Sequence, residues 1–377
     1  MRRSTARAFA CALVLAAVTA AAPPARAQAG WYATPSFSLT EEYDDNVFAT
    51  PTGEREDFIT RFSPGLKLGF GSATLTLEAS ASVDAEVYAE QSELSGAANR
   101  TRAGLAVKYL PGPLTTLRLD AAFVQTQTAT ELLVETGVEL GRREATLLGV
   151  TPLLSYRFSP LTTGEASYTF RRGTIEDDPD QTTHEARGAL TWQLAQLHTA
   201  TVGYLYQIFE TEGADTRTSH TATLGWTGQL GRQTTLTLQA GPRVSDGDVG
   251  PDILARIEYR MRYGAVSLAY ARSEAVVLGR AGTVEAEGLL ATLTVEPVPR
   301  LRLTLSPSVR RSSEDAPGVP ETRVYGVGAA VVYELSRWVS VRAEYRFALQ
   351  EEEGRDRIRH SVASLSLDFS YPVRFDD

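Results

Sequence analysis

Past its first thirty residues the chain alternates apolar and polar positions with a period of two. The clearest run is Ala73 to Glu90. Leu75, Leu77, Ala79, Ala81, Val83, Ala85, Val87 and Ala89 share one face, and Thr76, Glu78, Ser80, Ser82, Asp84, Glu86 and Tyr88 share the other. Such a period marks a strand with two unlike faces. At about 3.3 Å per residue this run exceeds ordinary soluble strands and suits a tilted strand that crosses a bilayer and extends beyond it. The end of the chain repeats the pattern, with Ala363, Leu365, Leu367, Phe369, Tyr371, Val373 and Phe375 set against Ser364, Ser366, Asp368 and Ser370.

Two kinds of connection alternate between such runs. Short turns fall at Gly71-Ser72, Pro111 to Leu114, Ser159 to Leu161, Ala195 to Leu197, Gly231 to Gln233, near Arg262, Glu296 to Pro299, and Ser336-Arg337. Longer polar stretches fall near 44–57, 90–99, 129–142, 175–182, 211–216, 245–251, 275–283, 312–321 and 351–357. Eight turns and nine loops predict about 18 strands, with both termini on the short-turn side. The fold class expected is all-β, a transmembrane antiparallel up-and-down β-barrel. In outer-membrane barrels the short turns are periplasmic, so both termini are expected there. Pro64, Pro152, Pro242 and Pro307 fall inside predicted strands. Proline cannot donate to the ladder, so local bulges are expected at these sites.

The first residues read differently. Arg2, Arg3 and Arg7 precede an apolar stretch from Ala8 to about Ala22, followed by Ala25-Arg26-Ala27. This is the pattern of a signal peptide, residues 1–27, cut after Ala27, with a barrel domain over 28–377 in the cell outer membrane. The only cysteine, Cys11, lies in the leader, so the mature chain has no thiol for a disulfide, metal site or nucleophile. Cleavage removes four arginines and no acid, leaving 33 basic against 46 acidic residues, which disfavours nucleic acid as a partner. After Ala27 no run approaches the length a membrane helix needs. His184, His198, His220 and His360 lack metal-ligand spacing. Ser219-His220 and His360-Ser361 are neighbours on a strand and so face opposite ways. No enzyme activity and no cofactor are expected.

Aromatic placement supports a bilayer. Trp192, Trp226 and Trp338 lie within a few residues of short turns and Trp31 begins the first strand, so all four tryptophans map to one rim as membrane-interface residues. The lipid bilayer is then one partner and the barrel-assembly machinery another. The final outward row, with Phe369, Tyr371 and Phe375, is the expected assembly signal, followed by Asp376 and Asp377. If the apolar phase faces lipid, the lumen is lined on one arc by Glu78, Asp84 and Glu86. On another arc it is lined by Arg256, Glu258, Arg260, Arg302, Arg310, Arg342, Glu344 and Arg346.

The first strand and loop read Pro35-Ser36-Phe37-Ser38-Leu39-Thr40-Glu41-Glu42-Tyr43-Asp44-Asp45-Asn46-Val47-Phe48. With the related segments Leu154 to Leu161 and Val332 to Trp338, this resembles a family of outer-membrane β-barrel porins associated with exopolysaccharide synthesis and export, including those of myxobacteria. The resemblance implies a passive conduit for a polysaccharide cargo. It also implies a periplasmic or outer-membrane polysaccharide export protein as partner. It supplies no catalytic residues. The alternatives are a general diffusion porin for small solutes and a structural or adhesive barrel without an open pore.

Overall fold

The computed structural model describes residues 30–133, 135–139, 141–278, 282–313 and 321–375. The expected leader and Asp376-Asp377 lie outside the described residues. Strands β1 (Gly30–Asp44), β2 (Asp57–Gly71), β3 (Leu75–Tyr88), β4 (Gly96–Gly112), β5 (Thr115–Thr126) and β6 (Ala145–Ser159) run up and down in sequence. The meander continues through β7 (Thr162–Ile175), β8 (Gln181–Ala195), β9 (His198–Thr211), β10 (Arg217–Gln229), β11 (Thr234–Ser245) and β12 (Asp248–Met261). It ends with β13 (Gly264–Ala275), β14 (Val284–Val298), β15 (Leu301–Ser313), β16 (Thr322–Glu334), β17 (Val339–Glu352), β18 (Ile358–Ser370) and β19 (Val373–Phe375). Each strand pairs antiparallel with the next, and β1 also pairs with β18 and β19, so the sheet closes.

β18 and β19 are one strand in two segments. Ser36 faces Ser370 and Ala33 faces Val373, a single unbroken register. Pro35 and Pro372 have no N–H to give, which interrupts the ladder, while the Tyr371 N–H still donates to the Pro35 carbonyl at 3.1 Å. The barrel therefore has eighteen strands, and Trp31 beside Phe375 brings both ends of the described chain to one rim.

The prolines inside strands do not produce the expected bulges. Across Pro64 the β2–β3 pairs Phe62–Ala85 and Gly65–Ser82 keep one register. The same holds at Pro152 between Val150–Phe170 and Leu153–Ser167, at Pro242 between Thr221–Arg243 and Leu224–Ala240, and at Pro307 between Leu290–Ser308 and Leu293–Leu305. A proline removes one donor, so one neighbour loses contact locally while the other stays paired, as Pro307 does with Val327. Register shifts occur elsewhere, chiefly where strands enter short turns, as between Tyr109 and Gly112 or Gln193 and Ala195. One further expectation fails: 245–251 is no long loop. Asp246 and Gly247 alone connect β11 to β12, with φ of 47° and 99°. Positive φ at both central residues matches the twist of a hairpin, and Asp-Gly supplies it.

Directly paired residues share a face of the sheet. Followed from β1 through all eighteen strands, this parity returns to β1 without conflict, placing Glu42, Ile59, Tyr88, Arg100, Arg310, Gln350 and His360 in one set. The loop 127–144 touches members of that set on β3, β15, β17 and β18, and only the interior brings one loop to so wide an arc. The other set is outward and apolar: Leu66, Leu117, Leu224, Leu238, Ile257 and Leu365 are all exposed. A continuous exposed apolar belt of this extent belongs in lipid rather than in water. The buried apolar core sits instead where loops fold inward. Leu133 and Val138 of loop 127–144 cluster with Val277 and Leu278 of the β13–β14 loop, over Ile175, Val284 and Ala286.

Candidate pore constriction

Loop 127–144 joins β5 to β6, and its charged residues tie it to the wall. Glu131 pairs with Arg100 and lies 3.9 Å from Arg102. Arg142 Nη1 donates to the Tyr88 hydroxyl at 2.6 Å, stands over that ring at 4.8 Å and lies 3.6 Å from Glu86. The wall beneath is itself a charge network: Arg61 bonds Glu42 at 3.1 Å and Glu86 at 2.9 Å, and Glu86 also accepts from Asn99 and Tyr88 at 3.0 Å. Buried charges persist only when paired and hydrogen-bonded in this way. Farther along the loop, the Glu139 carboxylate meets His360 Nδ1 at 3.1 Å, and its N–H donates to Gln350 Oε1 at 2.7 Å. His360 Nε2 meets Asp44 at 3.0 Å. Gly137, at φ +64°, passes so close to β15 that a Cβ there would lie 3.2 Å from Arg310 Cδ and Nη1. Both its conformation and its neighbour call for glycine.

The residues singled out from the sequence occupy the inward set. Glu78 bonds Lys67 at 2.9 Å and accepts from Tyr32 at 3.0 Å. Asp84 pairs with Arg102 at 3.0 Å. Across the barrel, Glu258 lies between Arg256 and Arg260 at 3.7 and 3.3 Å, and Arg302 pairs with Glu296 at 2.9 Å. Arg342 contacts Glu344 and Asp368, each at 3.3 Å. Arg310 and Arg346 differ: among the described residues neither has a carboxylate within ion-pair distance, and Arg310 bonds only Ser308 Oγ, at 2.9 Å. Both border a cavity of about 320 Å³ between the loop and strands β14–β18. Ser306, Ser308, Leu290 and Leu133 line it, and Gly326 and Gly328 leave the wall bare. Trp31, Trp192 and Trp338 stand near the short turns, where Trp31 packs on Phe70 and Trp338 on Tyr371; Trp226 stacks on His198 at 5.6 Å. Phe369, Tyr371 and Phe375 are exposed on the outward row.

Sequence reasoning missed Arg61, Arg100, Arg142, Glu139 and His360. The loop 129–142 shows a run of charges, yet nothing local says which wall they meet.

No protein-family model matches the chain, and no curated protein matches its sequence. Solved structures match its fold. Pseudomonas aeruginosa OccK9 (OpdG) is 13% identical over 92% of this chain and 99% of that chain, with a TM-score of 0.51. Pseudomonas aeruginosa OccK3 (OpdO) is 14% identical over 90% and 96%, with a TM-score of 0.51. Acinetobacter baumannii OccAB4 is 11% identical over 90% and 98%, with a TM-score of 0.51. The chain is thus a closed, antiparallel, eighteen-stranded barrel of the outer-membrane porin fold. The association with polysaccharide export finds no support among these likenesses.

Proposed function

We propose that the protein is a passive diffusion porin of the outer membrane for small solutes, with its termini periplasmic and its barrel inserted by the assembly machinery. The observation that carries this reading is the cavity beside Arg310 and Arg346. It is a space of about 320 Å³ left between an inward-folded loop and the wall, where, among the described residues, neither guanidinium has a carboxylate within ion-pair distance, while the bordering Glu42, Asp44, Glu131 and Glu139 are held by Arg61, His360 and Arg100. A barrel of this strand number encloses water unless plugged. The loops that meet over Val138 and Val277 narrow the lumen, which suits small solutes better than a polymer threading through. Uncompensated cations in a low-dielectric constriction raise the local concentration of anions. In planar bilayers under a salt gradient, the zero-current potential is expected to show anion preference. Arg310→Ala should lower the chloride-to-potassium permeability ratio roughly twofold. An unchanged ratio would place the selectivity elsewhere, and no conductance would contradict the porin reading.

A further inference from the structure

We propose that His360, held as an imidazolium between Asp44 and Glu139, is the positioning residue that fixes loop 127–144 in the lumen. The inference rests on the porin reading only in what the loop constricts. The geometry of the clamp stands apart from it.

Both ring nitrogens of His360 face carboxylates, Nε2 at 3.0 Å from Asp44 and Nδ1 at 3.1 Å from Glu139. A neutral imidazole has one donor and one acceptor, and its acceptor would point at a carboxylate. Only the doubly protonated ring satisfies both contacts. The three groups come from β18, β1 and the loop, and they are largely buried, with side-chain exposures of 13%, 12% and 7% for His360, Asp44 and Glu139. The other charged groups around this space are Glu42, Arg61, Arg100, Glu131 and Arg142, with Arg310 and Arg346 across the larger cavity. Glu42 is taken by Arg61, Arg100 by Glu131 and Glu86, and Arg142 by Tyr88 and Glu86, so none of these arginines replaces the imidazolium. Between its anchors on β4 at Glu131 and on β3 at Arg142, the loop is held at Glu139 to β1, β17 and β18 by the clamp and the Gln350 bond.

The charges say what the clamp needs. His360 is the cation between two buried carboxylates. A neutral amide in its place supplies no charge and can turn its donors to only one of them, so a buried carboxylate is left unpaired and the loop is released.

The test is a nitroxide on Gly141→Cys, where an added Cβ meets the Phe48 carbonyl at an ordinary contact distance of 3.5 Å, in the full-length folded barrel with and without His360→Gln or Glu139→Gln. At pH 7 the parent spectrum is expected to be ordered. His360→Gln should raise the mobile fraction about tenfold. Glu139→Gln, a loop change that leaves the wall intact, should do the same, and the two changes together should add little to either alone. Bilayer currents follow the same order, with more noise in His360→Gln than in the parent. A spectrum of His360→Gln that matches the parent overturns the clamp. A total absence of current in every protein speaks against the porin reading alone, because the spectra still decide the clamp.

Discussion

Ala81→Arg is expected to prevent stable folding of the barrel, while Ser82→Arg, one residue on, leaves it folded. The two positions sit mid-strand on β3, where Ala81 pairs with Leu66 and Ala103 in the outward row and Ser82 pairs with Gly65 and Arg102 in the inward row. An arginine held against lipid near the midplane costs roughly 2–4 kcal/mol, and one in the lumen costs little. The inward arginine adds a cation near Asp84 and should shift ion preference further toward anions. The measurement is the fraction of protein that migrates as the compact, heat-modifiable form after refolding into lipid. Equal folding of both variants would mean that the two faces of β3 are not what the pairing makes them.

The second large effect is expected at the barrel seam. Every other pair of neighbouring strands is joined by a turn or loop, whereas β1 and β18 are held by non-covalent contacts alone. At the rim opposite the termini Asp45 extends that seam, accepting the Ser361 N–H at 2.6 Å while its own N–H donates to the Ser361 carbonyl at 3.1 Å. Asn46, fully buried, donates to the carbonyls of Arg359 and Thr50 at 2.9 and 2.8 Å and accepts the Thr50 N–H at 3.0 Å. Asn46→Ala removes three hydrogen bonds to part-buried backbone groups, at about 1 kcal/mol each. The urea midpoint for unfolding in detergent should fall clearly, while Ser92→Ala, in an exposed turn, should leave it unchanged. A midpoint equal to that of the parent would remove the seam from this account.

These two cases also show what was legible in the sequence. The period-two row of β3 specified the strand and its faces, because alternation is a local signal. The eight short turns stand where the turn residues put them. The hairpin at Asp246-Gly247 was legible too, as a turn pair between strands, yet the polar residues around it read as a loop. The in-strand prolines misled because each was expected to distort its strand, whereas a ladder of this length absorbs one missing donor. The Tyr43 to Phe48 segment drew notice as a family resemblance. Its aspartates and asparagine have a use at the seam that is independent of any cargo. The constriction was not legible, because His360 meets partners 316 and 221 positions away, and no local pattern encodes such a meeting.

The most direct test of a water-filled lumen behind an apolar outer wall is cysteine labelling along β3. Single cysteines at Ala79, Ser80, Ala81 and Ser82 would be exposed, in the folded barrel in lipid, to a small membrane-impermeant thiol reagent. Positions 80 and 82 are predicted to react and 79 and 81 to stay protected, because Ser80 and Ser82 share the face of Glu78 and Asp84 while Ala79 and Ala81 share that of Leu77 and Val83. Reaction at 79 and 81 with protection at 80 and 82 would contradict the account, as would uniform protection, which would mean that the lumen holds no accessible water.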